Sequence, residues 1–296
     1  VVDGPGNRAV VFLQGCNFAC SYCHNPETIH RCTNCGACVA KCPAGALSIE
    51  DGKVSWNETL CCSCDTCIHI CPNLASPRTT VMSAQQVMEQ ILPDVPFIRG
   101  ITVSGGECSL QRDFVLELFR MAKEHGLSAL MDSNGSYDYA SDPELMEVCD
   151  GVMLDVKAFD TKAHEALTGC GNDMVLENAV YLAKTGKLEE IRTVIVPDVL
   201  PNSQTVEKIT ALLRPYLTTR SIRYKIIAYR KFGVRPPYQA QFRSPTAEEM
   251  HMEVPEIVRK GSAYGVKLRA SAPSIHMMRA DIKAEISPMV GDEQQS

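Results

Sequence analysis

Short apolar runs of strand length alternate with amphipathic stretches of helix length over most of the chain. The apolar runs predict six β-strands, because they are rich in β-branched residues and end at glycine or polar residues. These runs are NRAVVFLQG, IRGITVSGGE, LSALMDSNG, GVMLDVK, EIRTVIVPD and SIRYKIIAY. The amphipathic stretches predict helices, since their apolar residues recur at the spacing of one helical face. These stretches are MSAQQVMEQIL, RDFVLELFRMAKEHG, PELMEVC, VLENAVYLAKTG, TVEKITALLRPYL and AEEMHMEVPEIVRKGSAYG.

This alternation predicts an α/β fold with a parallel sheet, either doubly wound or barrel-like. Glycine or polar residues follow most of the predicted strands. They are Gly15, Gly105 to Glu107, Asp132 to Gly135, Lys157, and Tyr229 to Arg230. In a barrel the carboxyl ends of parallel strands meet at one rim, where active sites are built. We therefore expect the functional site at that rim.

The composition is that of a globular protein and argues against several kinds of partner. The formal net charge is −6, and no basic run indicates binding to nucleic acid. The apolar runs are too short for a transmembrane helix, so no membrane partner is expected. The first residues carry no signal-peptide pattern, so we expect a cytoplasmic protein. Because residue 1 is Val rather than Met, we expect a short N-terminal piece to precede it.

Cysteine is the residue type whose distribution is unusual. The chain has 15 cysteines, and all but Cys108, Cys149 and Cys170 lie between residues 16 and 71. Such clustering is typical of metal ligation in a reducing compartment rather than of disulfides. Residues 31–77, here called the Cys-rich segment, contain most of them and one predicted hairpin with Asp51 and Gly52 at its turn. The three distant cysteines are expected to be ordinary buried thiols.

Two runs in the Cys-rich segment have the spacing C-x2-C-x2-C-x3-C-P, the pattern of ferredoxins with two 4Fe–4S clusters. In that pattern the fourth cysteine of each run binds the cluster of the other run. One cluster is therefore assigned to Cys32, Cys35, Cys38 and Cys71. The other is assigned to Cys42, Cys61, Cys64 and Cys67. A pair of structural zinc sites is the alternative, and Cys62 is surplus to either assignment.

A separate group, Cys16, Cys20 and Cys23, follows the first predicted strand with the spacing C-x3-C-x2-C. A 4Fe–4S cluster normally takes four cysteines. The Cys-rich segment supplies all the ligands of its own two clusters, so it needs none from this group, and the group must hold a cluster of its own. We infer a third cluster with one iron free of protein ligands, where a substrate or cofactor can bind.

The C-x3-C-x2-C group, with Tyr22 before its last cysteine, resembles the signature of the radical S-adenosylmethionine (SAM) superfamily. The motifs DGPGNR, CHN, SGGE, DSNG, MLDVK and RTVIVP resemble those of the glycyl-radical-enzyme activating enzymes. The two ferredoxin runs are similar to those of the YjjW-type subgroup. The resemblance implies a partial (β/α)6 TIM-like barrel of residues 1–30 and 78–290, with a ferredoxin-like domain inserted at residues 31–77. Residues 291–296 are expected to form a disordered tail.

The resemblance also implies a reaction. Enzymes of this group cleave SAM with one electron, and the 5′-deoxyadenosyl radical abstracts a hydrogen from a backbone glycine of a partner glycyl radical enzyme. The implied cofactors are three 4Fe–4S clusters, SAM and a monovalent cation, and the implied electron donor is a flavodoxin or ferredoxin. A radical SAM enzyme acting on a peptide or small molecule is the alternative. An electron carrier is a third hypothesis, but a carrier needs neither six strand–helix units nor a three-cysteine site.

Residue roles follow from the same resemblance. Catalytic roles fall on Cys16, Cys20, Cys23 and Lys157. Contacts with SAM are implied for Tyr22, Cys23, His24, Gly105, Gly106, Glu107, Asp155, Val156, Lys157 and Arg230, the last standing where the group commonly has a histidine. A monovalent-cation site is implied at Asp132, Ser133, Met153 and Asp155. Asp3 and Arg192 match a pair that engages the glycine loop of the partner.

Overall fold

The computed structural model describes residues 4–216, 222–246 and 248–250, and the backbone of two further strands at 266–270 and 278–284. The strands are β1 (Arg8–Leu13), β2 (Leu47–Glu50), β3 (Lys53–Trp56), β4 (Gly100–Gly105), β5 (Ser128–Ser133), β6 (Gly151–Asp155), β7 (Leu188–Ile195), β8 (Ile222–Ala228), β9 (Val266–Ala270) and β10 (Met278–Ala284). The α-helices are α1 (Thr66–Ile70), α2 (Ala84–Ile91), α3 (Arg112–Glu124), α4 (Pro143–Val148), α5 (Thr161–Thr168), α6 (Asp173–Lys184), α7 (Asn202–Leu213) and α8 (Pro236–Gln239).

The larger sheet has the strand order β1-β4-β5-β6-β7-β8-β10-β9. Strands β1 and β4 to β8 are parallel, and β10 pairs antiparallel with β8. The six parallel strands are the six predicted from the sequence, so the α/β fold with a parallel sheet is confirmed. Because these strands run in one direction, the residues that follow them gather at one edge of the sheet.

Amphipathic helices cover the sheet and form the core with it. In α3 the buried residues Val115, Leu118, Phe119 and Ala122 recur every three or four positions, which places them on one helical face. They pack in one cluster with strand residues that include Met131. Ser83 caps α2, since its side chain accepts a hydrogen bond from the backbone N–H of Gln86.

Some elements differ from the sequence-based expectation. The helices α1, α5 and α8 were not predicted. The helix predicted at residues 247–265 lies outside the described residues except at 248–250. The proposed tail at residues 291–296 also lies outside them.

The Cys-rich segment lies between β1 and α2 in the chain, outside the larger sheet. Strands β2 and β3 form the predicted hairpin, and Asp51 and Gly52 at its turn have positive φ angles of 50° and 74°, as a type I′ turn requires. The backbone N–H of Ser76 donates to the carbonyl of Glu27 at 3.2 Å. The two ends of the segment therefore lie side by side. Across the described part of the chain, no helix is long and apolar enough to cross a membrane.

Candidate functional site

The loop that carries Cys16, Cys20 and Cys23 begins directly after β1 and is fixed by backbone hydrogen bonds. The N–H of Cys16 donates to the carbonyl of Ile29 at 3.0 Å, which turns the loop back on itself. The N–H groups of Ala19 and Ser21 donate to the last carbonyls of α5, at 2.9 Å each. These carbonyls have no partner within their own helix, so the loop and the end of α5 satisfy each other.

Cys20 of this loop is buried, Cys16 and Cys23 are half-buried, and hydrogen-bond donors lie beside Cys16. The N–H of Phe18 lies 3.4 Å from Sγ of Cys16, and Nδ2 of Asn134 lies 3.8 Å from it. Burial raises the pKa of Cys16 and Cys20 to about 11, and it also raises the pKa of Cys23. The metal-free thiols are therefore protonated at neutral pH, and metal binding must release their protons. Three thiols on one loop, with donors that stabilise thiolate, suit an iron–sulfur cluster.

The glycines of the SGGE motif are required by backbone packing. A Cβ atom on Gly105, whose φ is +118°, would lie 2.2 Å from the carbonyl oxygen of Leu13. A Cβ atom on Gly106 would lie 2.2 Å from the carbonyl oxygen of Gly15. The N–H of Gly106 donates to Leu13 at 2.9 Å. Both glycines therefore let the end of β4 approach the start of the cysteine loop.

Glu107 is almost fully buried, at 1% exposure, and both of its carboxylate oxygens accept hydrogen bonds. Oε1 accepts from the hydroxyls of Ser109 (2.6 Å) and Ser133 (2.9 Å). Oε2 accepts from the N–H of Asn134 at 2.7 Å. Glu107 thus ties the loop after β4 to the loop after β5, and its predicted contact with SAM stays a prediction.

An aromatic group lies beside the cysteine loop. The ring centroid of Tyr229 is 6.4 Å from that of Tyr22 and 6.1 Å from that of His24. Nζ of Lys157 lies 5.7 Å from the ring centroid of Tyr22. The hydroxyls of Tyr22 and Tyr229 are buried without a hydrogen-bond partner among the described residues. Buried hydroxyls normally have partners, so a polar group bound here fits the site.

Buried Lys157 and half-buried Asp155 form an ion pair at the end of β6, with 2.8 Å between Nζ and Oδ2. Burial alone would lower the pKa of Lys157, but the charge of Asp155 holds it well above its usual value. Burial would raise the pKa of Asp155, and the charges of Lys157 and Arg192 lower it. Val156, between them, donates its N–H to the carbonyl of Arg192 at 2.9 Å. The pair is therefore ionised and held against β7.

Arg192, in β7, is buried near the carboxyl ends of the parallel strands. It contacts two of the four predicted cation ligands. Its Nη1 lies 2.8 Å from Oδ2 of Asp132, and its Nη2 lies 3.1 Å from Sδ of Met153. Its Nε donates to Glu190 at 2.6 Å. The hydroxyl of Ser133, the third predicted ligand, donates to Glu107. Asp3, the predicted companion of Arg192, lies outside the described residues.

The loop after β8 closes over the cysteine loop. The carbonyl of Arg230 lies 2.8 Å from Nε2 of His24. A Cβ atom on Gly233 would lie 2.1 Å from the carbonyl oxygen of His24. Nη2 of Arg235 donates to the carbonyls of Ala19 and Cys20, at 3.2 and 3.4 Å. The structure therefore joins Arg230 to the site through its backbone.

Two cavities lie in the Cys-rich segment. One cavity is bordered by Cys42, Cys61, Cys64 and Cys67, together with Cys62, Trp56 and Arg78. A second cavity is bordered by Cys32, Cys35, Cys38 and Cys71, together with Cys67 and Val54. Each contains one of the two ligand sets inferred from the sequence. Among the described residues, no three His, Cys, Asp or Glu side chains are arranged to hold a single metal ion.

Sequence reasoning missed two residues that hold the cysteine loop. Asn134 lies in the DSNG motif, but it was not assigned a role, and Arg235 was not considered at all. Asn134 reaches Cys16 across 118 positions of sequence, and Arg235 reaches Ala19 across 216. The strand-end rule does place Asn134 at the rim, because it follows β5 directly, but the rule does not indicate its contact with Cys16.

The model of the radical SAM superfamily matches residues 10–213, which include the cysteine loop and the parallel strands up to β7. The chain therefore belongs to the radical SAM superfamily. A second model, the middle domain of stage IV sporulation protein A, matches residues 241–291. That match covers too little of the chain to show a family.

Curated relatives narrow the class. The pyruvate formate-lyase-activating enzyme of Streptococcus mutans is 31% identical over 88% of this chain and 90% of its own. The choline trimethylamine-lyase activating enzyme of Oleidesulfovibrio alaskensis is 30% identical over 78% of this chain and 81% of its own. Within the superfamily, this protein is an enzyme of the glycyl-radical-enzyme activating group.

Solved structures agree on the fold alone. Streptococcus suis SuiB bound to precursor peptide SuiA has a TM-score of 0.55 with this chain at 12% sequence identity. The likeness covers 88% of this chain and 48% of SuiB. At that identity only the radical SAM α/β fold is shared.

Proposed function

We propose that this protein generates a glycyl radical on a partner glycyl radical enzyme. When bound, a 4Fe–4S cluster and SAM supply the chemistry, in which one electron cleaves SAM and the 5′-deoxyadenosyl radical takes a hydrogen atom from a backbone glycine. Cys16, Cys20 and Cys23 would hold that cluster. The observation that carries the proposal is a three-cysteine loop at the rim of a parallel sheet, beside an ionised lysine and unpartnered tyrosine hydroxyls.

The residues around the loop have distinct proposed tasks. Lys157 supplies a fixed positive charge for the carboxylate or ribose side of SAM, because Asp155 keeps it protonated. Tyr22 and His24 would lie near adenine, and the exposed face of His24 leaves room for it. The backbone of Gly105 and Gly106 would face the methionine end. Contacts by Glu107, Val156 and Arg230 remain proposals.

The cation site is also a proposal. A monovalent cation at Asp132, Ser133, Met153 and Asp155 would have to displace the guanidinium of Arg192 from Asp132 and Met153. The same displacement would release Arg192 towards the glycine loop of a partner. Cation binding and partner recognition would then be linked through one side chain.

We further propose the YjjW-type arrangement, with a ferredoxin-like domain at residues 31–77 that holds two additional clusters. Its support is that each cavity of the Cys-rich segment is bordered by one complete set of four cysteines. The barrel would then comprise residues 1–30 and 78–290, and the protein would carry three 4Fe–4S clusters.

An electron relay from a flavodoxin or ferredoxin is the proposed task of these two clusters. Ile29 accepts a hydrogen bond from Cys16 at 3.0 Å, and Cys32 is three residues further along the chain. Three residues span at most about 11 Å, so one auxiliary cluster would lie near the SAM-binding cluster.

Replacement of Cys20 by Ala tests the main proposal. In the reconstituted anaerobic protein, the variant should form no 5′-deoxyadenosine from SAM, because two thiolates do not retain the cluster. Cys62→Ala, at an exposed cysteine outside all three ligand sets, is the control and should keep the parent rate. Product formation by Cys20→Ala at the parent rate would refute the assignment of the loop.

A donor comparison tests the relay. Cys35→Ala and Cys64→Ala should still cleave SAM with a strong chemical reductant but lose cleavage with a reduced flavodoxin. Equal loss with both reductants would mean that the Cys-rich segment is structural. EPR detection of a glycyl doublet on a candidate partner would separate activation from the alternative, modification of a peptide or small molecule.

A further inference from the structure

The two cavities of the Cys-rich segment differ in the side chains that complete them. The cavity at Cys42, Cys61, Cys64 and Cys67, here called the Trp56 cavity, is also bordered by Trp56, Arg78 and Asp65. The cavity at Cys32, Cys35, Cys38 and Cys71, here called the Val54 cavity, is completed by apolar residues such as Val54, Ala75 and Pro77. The two ligand sets therefore have different electrostatic surroundings.

Trp56 presents a donor that the protein itself does not satisfy. Its Nε1 is buried without a hydrogen-bond partner among the described residues. An indole N–H can only donate, and leaving a buried donor unpaired costs about 1–3 kcal/mol. A sulfur-rich group in the cavity is an acceptor that would remove this cost.

Arg78 is held in place at the same cavity. Its Nη2 contacts Oδ1 of Asp65 at 2.5 Å. Its backbone N–H donates to the hydroxyl of Ser76 at 3.1 Å. Trp56 and Arg78 are both hydrogen-bond donors, so they favour negative charge on a group in this cavity, where Arg78 is also paired with Asp65.

We propose that Trp56 and Arg78 set the reduction potential of the cluster in the Trp56 cavity above that of the cluster in the Val54 cavity. Reduction adds one electron, and hence one negative charge, to a cluster. Hydrogen-bond donors and positive charge near its sulfurs stabilise the reduced form. An electron from a flavodoxin or ferredoxin would then be more stable on a cluster in the Trp56 cavity than on one in the Val54 cavity. This inference rests on the proposed presence of both clusters.

Redox titration monitored by EPR tests the inference. The full chain carrying Cys16→Ser, Cys20→Ser and Cys23→Ser removes the third cluster, so only the two auxiliary signals remain. Trp56→Phe keeps the ring and removes the N–H, and Arg78→Gln removes the charge. Each should move the higher of the two midpoint potentials to a more negative value and leave the lower one in place, whereas a shift of the lower one would overturn the proposed order. Lys41→Gln is the matched control, since this exposed lysine borders neither cavity and its loss changes the net charge equally.

A second measurement separates this inference from the function on which it rests. Trp56 is the single tryptophan of the chain, so tryptophan fluorescence reports on its cavity alone. Reconstitution with iron and sulfide should quench it in the otherwise unchanged protein. Absence of quenching and of auxiliary EPR signals would overturn the two-cluster proposal. Two auxiliary signals whose potentials do not respond to Trp56→Phe or Arg78→Gln would overturn this inference only.

Discussion

At the scale of single residues, Glu107 shows how a motif residue can have a task that its motif does not reveal. The SGGE resemblance implied contact with SAM, yet both oxygens of Glu107 accept hydrogen bonds from Ser109, Ser133 and Asn134. Asn134 in turn donates to Cys16. Glu107 therefore positions the cysteine loop through a neighbouring loop.

Replacing Glu107 by Gln should destabilise the protein by about 1–3 kcal/mol, because the new amide NH2 must face a donor and leaves a buried group unpaired. The urea midpoint of unfolding of the metal-free chain measures this. Glu117→Gln, on the exposed face of α3, should leave the midpoint almost unchanged. If Glu107→Gln instead matched the parent in stability but lost SAM binding, Glu107 would be a direct ligand.

The residues of the site that could be predicted are those within short motifs. The cysteine loop, Asp155 and Lys157 follow single strands, so the strand pattern places them at one rim. Arg235 could not be predicted, because its contact with Ala19 joins loops at opposite ends of the parallel sheet order. The pairing of Arg192 with Asp132 depends on the register of β7 relative to β5, and the sequence does not determine that register.

At the scale of elements, α5 was missed although it supports the cysteine loop. The six strands were predictable because each is a continuous apolar run, whereas α5 has eight residues and a short apolar face. Its signals were the N-cap Asp160, whose side chain accepts from the N–H of Ala163, and Gly169 at its end with φ of 81°. The last carbonyls of α5 bind the N–H groups of Ala19 and Ser21.

Removing the cap by Asp160→Ala should reduce the free energy of unfolding by about 1 kcal/mol. Because the cysteine loop is bound to the end of α5, the variant should also retain less iron after reconstitution. Chemical denaturation and an iron assay give the two readouts. Asp173→Ala, an exposed acidic residue at the start of α6 that makes no capping bond, is the control. Equal effects of the two substitutions would argue that only charge matters.

At the scale of the whole molecule, the Cys-rich segment contributes no strand to the main sheet. Its own hairpin forms a separate two-stranded sheet, and Ser76 lies within hydrogen-bond distance of Glu27 at its point of departure. Chain termini that lie close together are typical of segments that can be inserted into or removed from a domain.

Replacing residues 31–74 with a short Gly/Ser linker should therefore leave the parallel sheet folded. We expect an unchanged far-UV circular dichroism shape, a monodisperse elution peak, and iron content reduced to that of one 4Fe–4S cluster. SAM cleavage with a chemical reductant should persist. Aggregation of the shortened chain, with loss of SAM cleavage, would show that the segment is part of the same folding unit.

The close approach of the end of β4 to the start of the cysteine loop affects what Gly105 and Gly106 indicate when sequences of this group are aligned. A methyl group at Gly105 or Gly106 would lie 2.2 Å from a neighbouring carbonyl oxygen. This clash does not depend on any cofactor. A descendant that had lost its chemistry but kept its shape would retain both glycines. Their presence in an alignment thus reports on architecture, and an inactive homologue must be recognised from other positions.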